Sequence, residues 1–239
     1  MSSPLQPINP AKTEKRKPGT ILWLRILRLL LPCLVLLALI AGLAPACQRA
    51  PSSPPQEAVV SQVIDGDTLV LADGMHVRLL GIDAPELEKD GRPAEFLAHP
   101  SRAYLAGLTQ GKRVRLEYDR LRYDHYGRLL AYLFLPDGTN LSEAMLRQGL
   151  AHVYLHSPNF RYREVLLAAQ RQAIEARQGV WQKALKQDEP FYLANRSTLR
   201  LHRPNCPLAG RIAPTNRIRI TSLTEAYLQG FSPCRSCKP

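Results

Sequence analysis

Three carboxylates and an arginine gather between Val63 and Glu86: Asp67, Asp83, Glu86 and Arg78. Carboxylate oxygens that converge suit a hard cation such as calcium. An arginine beside them suits a phosphate oxygen. What would position these groups is a set of short strands. Val59 to Ile64, Leu69 to Leu71 and Met75 to Ile82 are β-rich runs separated by Asp65-Gly66 and Asp73-Gly74, which predicts a three-stranded meander. Folding about Asp73-Gly74 is expected to set Leu69 beside Arg78 and Asp67 beside Leu80. Asp67 and Asp83 then finish near one sheet edge, with Arg78 on the same hairpin. Taken alone, the Asp-Gly pairs also read as ordinary hairpin turns.

A later segment, Tyr123-Asp124-His125-Tyr126-Gly127-Arg128-Leu129-Leu130-Ala131-Tyr132, changes that balance. The chain resembles the staphylococcal nuclease (thermonuclease) family. The stretches that carry the likeness are Val-Ile-Asp-Gly-Asp-Thr, Arg-Leu-Leu-x-x-Asp-x-Pro-Glu, Asp-x-Tyr-Gly-Arg-x-Leu-Ala-Tyr and Glu-Ala-x-x-Arg-Gln-Gly-Leu-Ala. They run in family order from about Val59 to Trp181, and four ordered motifs are far more specific than one.

The resemblance implies a calcium-dependent endonuclease that hydrolyses phosphodiester bonds of DNA and RNA with little sequence preference and leaves 3′-phosphate ends. It implies that Asp67 and Asp83 hold calcium through carboxylates and Ala84 through its backbone carbonyl. The family often has Thr there, so the hydroxyl is missing but the carbonyl is not. Arg78 and Arg128 would grip the phosphate, more strongly as charge builds in the transition state. Glu86 would be the general base that activates water, and Asp65 would support its turn. Tyr126 and Tyr154 are candidates to stack on or border the nucleotide, and equally candidates for structural roles. Two other readings share these residues: a surface protein that binds nucleic acid without cutting, as in DNA uptake, and an envelope protein using the barrel as scaffold.

The formal charge of +12 is compatible with a polyanionic partner. Part of it sits before Cys47, and the rest of the chain keeps 26 basic against 19 acidic residues, a net of +7. Residues 1–28 are polar and basic, and Leu29 to Ala46 is uncharged and apolar. That layout predicts an export signal or membrane anchor over 1–46. Ala44-Pro45-Ala46 fits signal cleavage, and Cys47 fits a bacterial lipid-attachment site. The expected location is therefore outside a bacterial cytoplasm, tethered to the envelope or released, as a monomer. Residues 47–58, rich in Pro and Ser, read as a tether.

The nuclease domain is expected over 59–182, as a five-stranded Greek-key barrel of the OB type with helices. Beyond the meander, strands are predicted at Val114–Tyr118 and Leu129–Leu135. Helices are predicted at Ser101–Leu108, Ser142–Gln148 and about Phe160–Gln178. A small α+β unit follows over 190–239, with strands at Phe191–Leu193 and Ile218–Ile220. Ser222-Leu223-Thr224-Glu225 forms a capping box. His202 and Cys206, with Cys234 and Cys237, have the spacing of a tetrahedral zinc site. A disulfide among the cysteines is the competing reading for an exported protein. This tail resembles the zinc-binding domain of the Ada alkylation-response protein, with His202 replacing one cysteine. That implies zinc binding alone, with a structural role. Arg200, Arg203, Arg211, Arg217 and Arg219 are candidates for added DNA contacts or a solvated face.

Overall fold

The structure is a computed structural model, and it describes residues 54–239. The expected export segment, most of the tether and Cys47 lie outside the described residues. Among those described, no helix is long and apolar enough to cross a membrane.

Strands β1 (Glu57–Val63), β2 (Thr68–Leu71), β3 (His76–Leu79), β5 (Arg113–Glu117) and β6 (Leu129–Phe134) close into a barrel in the order β1-β2-β3-β6-β5. Only the β3–β6 pair is parallel among these five. That connectivity is the five-stranded Greek-key barrel expected from the sequence. Alternation explains how β5 faces it: Val114 and Leu116 point inward, between exposed Arg113 and Arg115. Leu69, Val77 and Leu133 are fully enclosed, and burying each such side chain contributes roughly 1.5–3 kcal/mol.

Two expectations for the meander need correction. The β2–β3 register pairs Thr68 with Arg78 and Leu69 with Val77, one residue from the expected pairing. The turn explains the slip. Leu71 and Met75 close a loop of three residues, not two, with Leu71 N–H donating to Met75 O and Gly74 N–H to Leu71 O. Gly74 supplies the left-handed conformation (φ +87°) that such a loop needs. Asp67 therefore lies opposite Leu79, whose N–H donates to Asp67 O at 2.8 Å.

The run Met75–Ile82 is also not one strand. Gly81 adopts φ +82° and turns the chain away from the barrel. The new strand β4 (Gly81–Asp83) pairs with β7 (His152–Tyr154), placing Asp83 opposite His152. Ser142 Oγ donates to Leu80 O at 2.8 Å, satisfying a carbonyl at this break. A Cβ at Gly81 would lie 2.2 Å from Leu166 Cδ1, so the strand also needs glycine for packing.

Helices α1 (Ala98–Thr109), α2 (Leu141–Arg147) and α3 (Arg163–Glu175) fall where the sequence places them, within a few residues. Asn140 caps α2 by accepting from the Ser142 and Glu143 amides. A short helix α4 (Trp181–Ala184) follows.

The C-terminal unit has a four-stranded sheet in the order β10-β8-β9-β11, from β8 (Tyr192–Asn195), β9 (Arg200–His202), β10 (Arg217–Ile220) and β11 (Ser232–Pro233). Helix α5 (Leu223–Leu228) starts at Ser222, whose Oγ accepts from the Glu225 amide at 3.2 Å. This unit shares its core with the barrel's helices. Ala173, Ile174, Val180 and Trp181 pack against Tyr192, Leu201, Tyr227 and Phe231. Buried Gln170 ties the two by hydrogen bonds: Val153 N–H donates to its Oε1, and its Nε2 donates to Tyr227 O.

Candidate active site and metal centre

The Asp65–Asp67 turn is shaped by close packing. A Cβ on Gly66 would lie 2.6 Å from Ala84 Cβ and 2.0 Å from Ser101 Oγ. Without that Cβ the turn settles against Ala84, whose N–H donates to Asp67 Oδ2 at 2.8 Å. Asp65 supports the turn as expected, its Oδ1 accepting from the Asp67 amide.

Arg78 reaches between the two aspartates. Its Nη2 lies 3.0 Å from Asp67 Oδ2 and 3.2 Å from Asp83 Oδ1, and its Nη1 donates to Leu79 O. All three side chains are nearly buried. Burial raises Asp67 to about 7, with Arg78 opposing and Asp65 and Asp83 adding to the rise. Burial also raises Asp83, but the hydrogen bond from Arg235 and the charges of Arg78, Arg235 and Arg200 outweigh it and hold the carboxyl below its ordinary value. Asp83 has three arginines near it, where Asp67 has Arg78 alone and two neighbouring aspartates. Each aspartate would otherwise be a costly buried charge.

Arg128 stands at the mouth. Its Nε donates to Asp124 Oδ2 at 2.7 Å, and its guanidinium lies 5.4 Å from the centre of the Tyr126 ring. Arg78, Arg128, Tyr126 and Tyr154 line one cleft of about 700 Å³. Tyr126 is 73% exposed, with the His125 ring 3.7 Å from its own, and stands at the cleft where a base could stack. Tyr154 differs, because the Arg200 guanidinium sits 4.1 Å from its ring centre. Glu86 and Ala84 line a neighbouring cavity of about 360 Å³, together with Asp83.

Of the tail arginines named from sequence, Arg200 alone reaches this cluster, 3.3 Å from Asp83 Oδ2. Arg203 pairs with Asp188 and Glu189, Arg217 donates to Ile212 O, and Arg219 covers Phe191. Arg235 carries no signal of its own in the sequence, where it fills one of the two spacer positions of Cys234-Arg235-Ser236-Cys237. In the fold its Nη2 bonds Asp83 Oδ1 and its Nη1 lies 2.6 Å from Glu86 Oε1. No linear spacing signals that contact. His152, opposite Asp83 across the β4–β7 pair, is partly buried against Trp181 and Tyr227.

Asp67 and Asp83 bring two carboxylates together on Arg78, so the donors available there are oxygens. Hard donors of that kind fit a hard cation such as calcium. The tail's cluster is of another chemistry. Ligand atoms of His202, Cys206, Cys234 and Cys237 lie within 4.8 Å of one another, and the three cysteines are free thiols. Backbone N–H groups of Arg203 and Ser236 donate to the sulfurs of Cys237 and Cys234. Burial and the neighbouring thiols push Cys237 up to about 12. A soft divalent cation relieves that crowding by taking the thiolates, and one nitrogen with three sulfurs could hold zinc.

A closed OB barrel carrying an acid–arginine cluster, joined to a cysteine–histidine cluster that could hold a metal, defines the class of protein: an OB-barrel protein with a small metal-binding tail. Comparison with known proteins narrows it. The sequence model described as "Staphylococcal nuclease homologue" matches residues 76–183. The one described as "Metal binding domain of Ada" matches residues 175–239. A thermonuclease of Staphylococcus intermedius is 36% identical over 128 residues, covering 52% of this chain and 76% of that protein. A thermonuclease of Staphylococcus hyicus is 35% identical over 125 residues, covering 51% and 73%. A protein of Escherichia coli O157:H7, named uncharacterized endonuclease, is 34% identical over 129 residues, covering 52% and 76%. The chain belongs to the staphylococcal nuclease family.

Proposed function

We propose that the protein is a calcium-dependent endonuclease, cutting DNA and RNA by attack of water on phosphorus. The observation that carries this reading is Arg78 lodged between Asp67 and Asp83 at the cleft that Arg128 also lines. When bound at Asp67, Asp83 and the Ala84 carbonyl, calcium supplies charge neutralisation at a phosphoryl oxygen. The protein's own groups do the rest. Arg78 and Arg128 hold the phosphate and bind it more tightly as its equatorial oxygens gain charge. Asp124 orients Arg128 through two contacts, accepting from its Nε and its amide. Glu86 is partly exposed beside Asp83, where it accepts a proton from the attacking water. Tyr126 borders the nucleotide.

The same proposal divides the chain into an export or anchor segment over 1–46, a tether over 47–58, a nuclease unit over 59–182 and a zinc unit over 190–239. It places the monomeric enzyme outside a bacterial cytoplasm, held by the N-terminal segment or by lipid on Cys47. The test is digestion of plasmid DNA and single-stranded RNA by the full chain, with calcium present or omitted. Cutting that requires calcium is the expected result. Intact substrate from a folded, calcium-loaded protein overturns the reading.

A further inference from the structure

Asp83 is surrounded by more positive charge than it needs. Arg78 and Arg235 share its Oδ1, while Arg200 approaches Oδ2 at 3.3 Å. Arg235 also takes Glu86, so three acids (Asp67, Asp83, Glu86) meet three arginines before any metal or substrate enters. A divalent cation on the carboxylates leaves this cluster with net positive charge. The charge then available is directed at one place, because Arg78, Arg128, Arg200 and Arg235 all line the larger cleft.

The two tail arginines are held by structure and not by chance proximity. Arg200 lies on β9 and donates to Pro233 O at 2.9 Å on the neighbouring β11. Its guanidinium packs over Tyr154, itself paired with Gly81 at the start of β4. Arg235 stands between Cys234 and Cys237, two of the four candidate metal ligands. The Cys234 amide donates to Leu201 O and the Lys238 amide to Cys234 O, fixing the knuckle from both sides. The surrounding unit packs through Tyr227 and Phe231 on Trp181 of the nuclease helices. Arg235 also borders both cavities, the one with Glu86 and the one with Arg128.

Resting on the nuclease reading above, we propose that Arg200 and Arg235 are substrate-binding residues, and that the cysteine–histidine unit completes the nucleic-acid cleft of the barrel. The ligand class is the backbone phosphate of single-stranded nucleic acid. Carboxylates hold the two guanidiniums in the cleft, and phosphate oxygens take them over by the same charge-assisted hydrogen bonds.

The test uses the full chain, zinc-replete, in buffer with calcium and in a Glu86→Gln background that suppresses cutting, with a 12-nucleotide single-stranded DNA as probe over a salt series. Arg200→Ala and Arg235→Ala are each expected to weaken binding by about tenfold. Each should lower the slope of log K against log salt by roughly 0.7, the loss of one phosphate contact on a single strand. Arg235→Lys keeps a cation and should restore the slope. Zinc content and thermal midpoint, measured on every variant, separate lost contact from lost fold. Arg219→Ala, on the Phe191 side of the tail, should leave binding unchanged. Unchanged affinity in the Arg200 and Arg235 variants overturns the proposal. Tighter binding by Arg235→Ala does so too, since the guanidinium then blocks the cleft. An equal loss in Arg219→Ala also overturns it, as an effect of bulk charge. Cleavage by the parent chain with calcium is scored in parallel. A protein that binds through these arginines but never cuts sinks the nuclease reading alone. A protein that cuts while both variants bind normally sinks this proposal alone.

Discussion

Arg78 shows how much one side chain is asked to do. It lies between two nearly buried carboxylates and is anchored to a backbone oxygen through its second terminal nitrogen. A planar fork makes these contacts together, and an ammonium cannot. Arg78→Lys should therefore lower cleavage by about 10²- to 10³-fold, the scale for removing one transition-state donor, while DNA affinity falls much less. Equal losses in kcat/KM and affinity would contradict that role. His152 supports a separate prediction. Burial lowers its pKa from 6.5 to about 4, with Asp83 and Glu95 raising it in part and Arg200 lowering it. The unfolded chain thus binds the extra proton between those values, so stability is lost as pH falls from about 6.5 toward 4. On this basis the native state loses about 2 kcal/mol between pH 7 and pH 5 through His152 alone. Urea unfolding of the parent and of His152→Phe at both pH values checks it; parallel declines would reject it.

Among the elements, the first hairpin and its neighbouring turn decide where the acids end. Gly66 is needed because its turn sits on Ala84 and Ser101, not for its backbone angles. Gly66→Ala should cost about 1–3 kcal/mol by overpacking and weaken calcium binding, because Asp67 moves off the Ala84 amide. Gly107→Ala is the contrasting case, since α1 has open space at that position. That change should stabilise the protein by roughly 0.5–1 kcal/mol. Denaturant midpoints for the pair, with calcium titration of the first, give the answer. The sequence signals located nearly every helix of the barrel domain, because apolar periodicity is a local mark. They misplaced the β2–β3 register by one, because a three-residue loop ending in glycine and a two-residue Asp-Gly turn look alike in one dimension. They also ran β3 and β4 together: Gly81 is flanked by apolar residues, and its left-handed angle serves a packing partner, Leu166, far along the chain.

For the whole molecule, the decisive feature is that the tail docks through a shared core and is not a free appendage. Stripping metal from His202, Cys206, Cys234 and Cys237 should loosen β9 and β11 and uncover Trp181. Metal present at about 100-fold its Kd contributes about 3 kcal/mol. Its removal should lower the thermal midpoint by roughly 6–12 °C for a unit of this size. Tryptophan emission should shift to the red on chelation, and Trp181→Phe should abolish the shift, because the remaining Trp23 belongs to the N-terminal segment. An unchanged midpoint and spectrum would show the tail needs no metal to stay packed.

By itself, the sequence determined the identities that chemistry depends on: the acids and arginines in ordered motifs, and the metal ligands at characteristic spacing. These are readable because each group's chemical type is intrinsic and the local turns that present them are encoded nearby. The fold class, a five-stranded OB barrel, followed from the strand pattern and the family resemblance, and the strand order came from the structure. Only the tertiary structure decided which charges meet. Asp83 and Arg235 are 152 positions apart, and nothing in either neighbourhood names the other. Their contact exists because apolar faces of the tail and of the nuclease helices must be buried together. That packing carries a cysteine knuckle, with its arginine, to the edge of the cleft lined by Arg78 and Arg128.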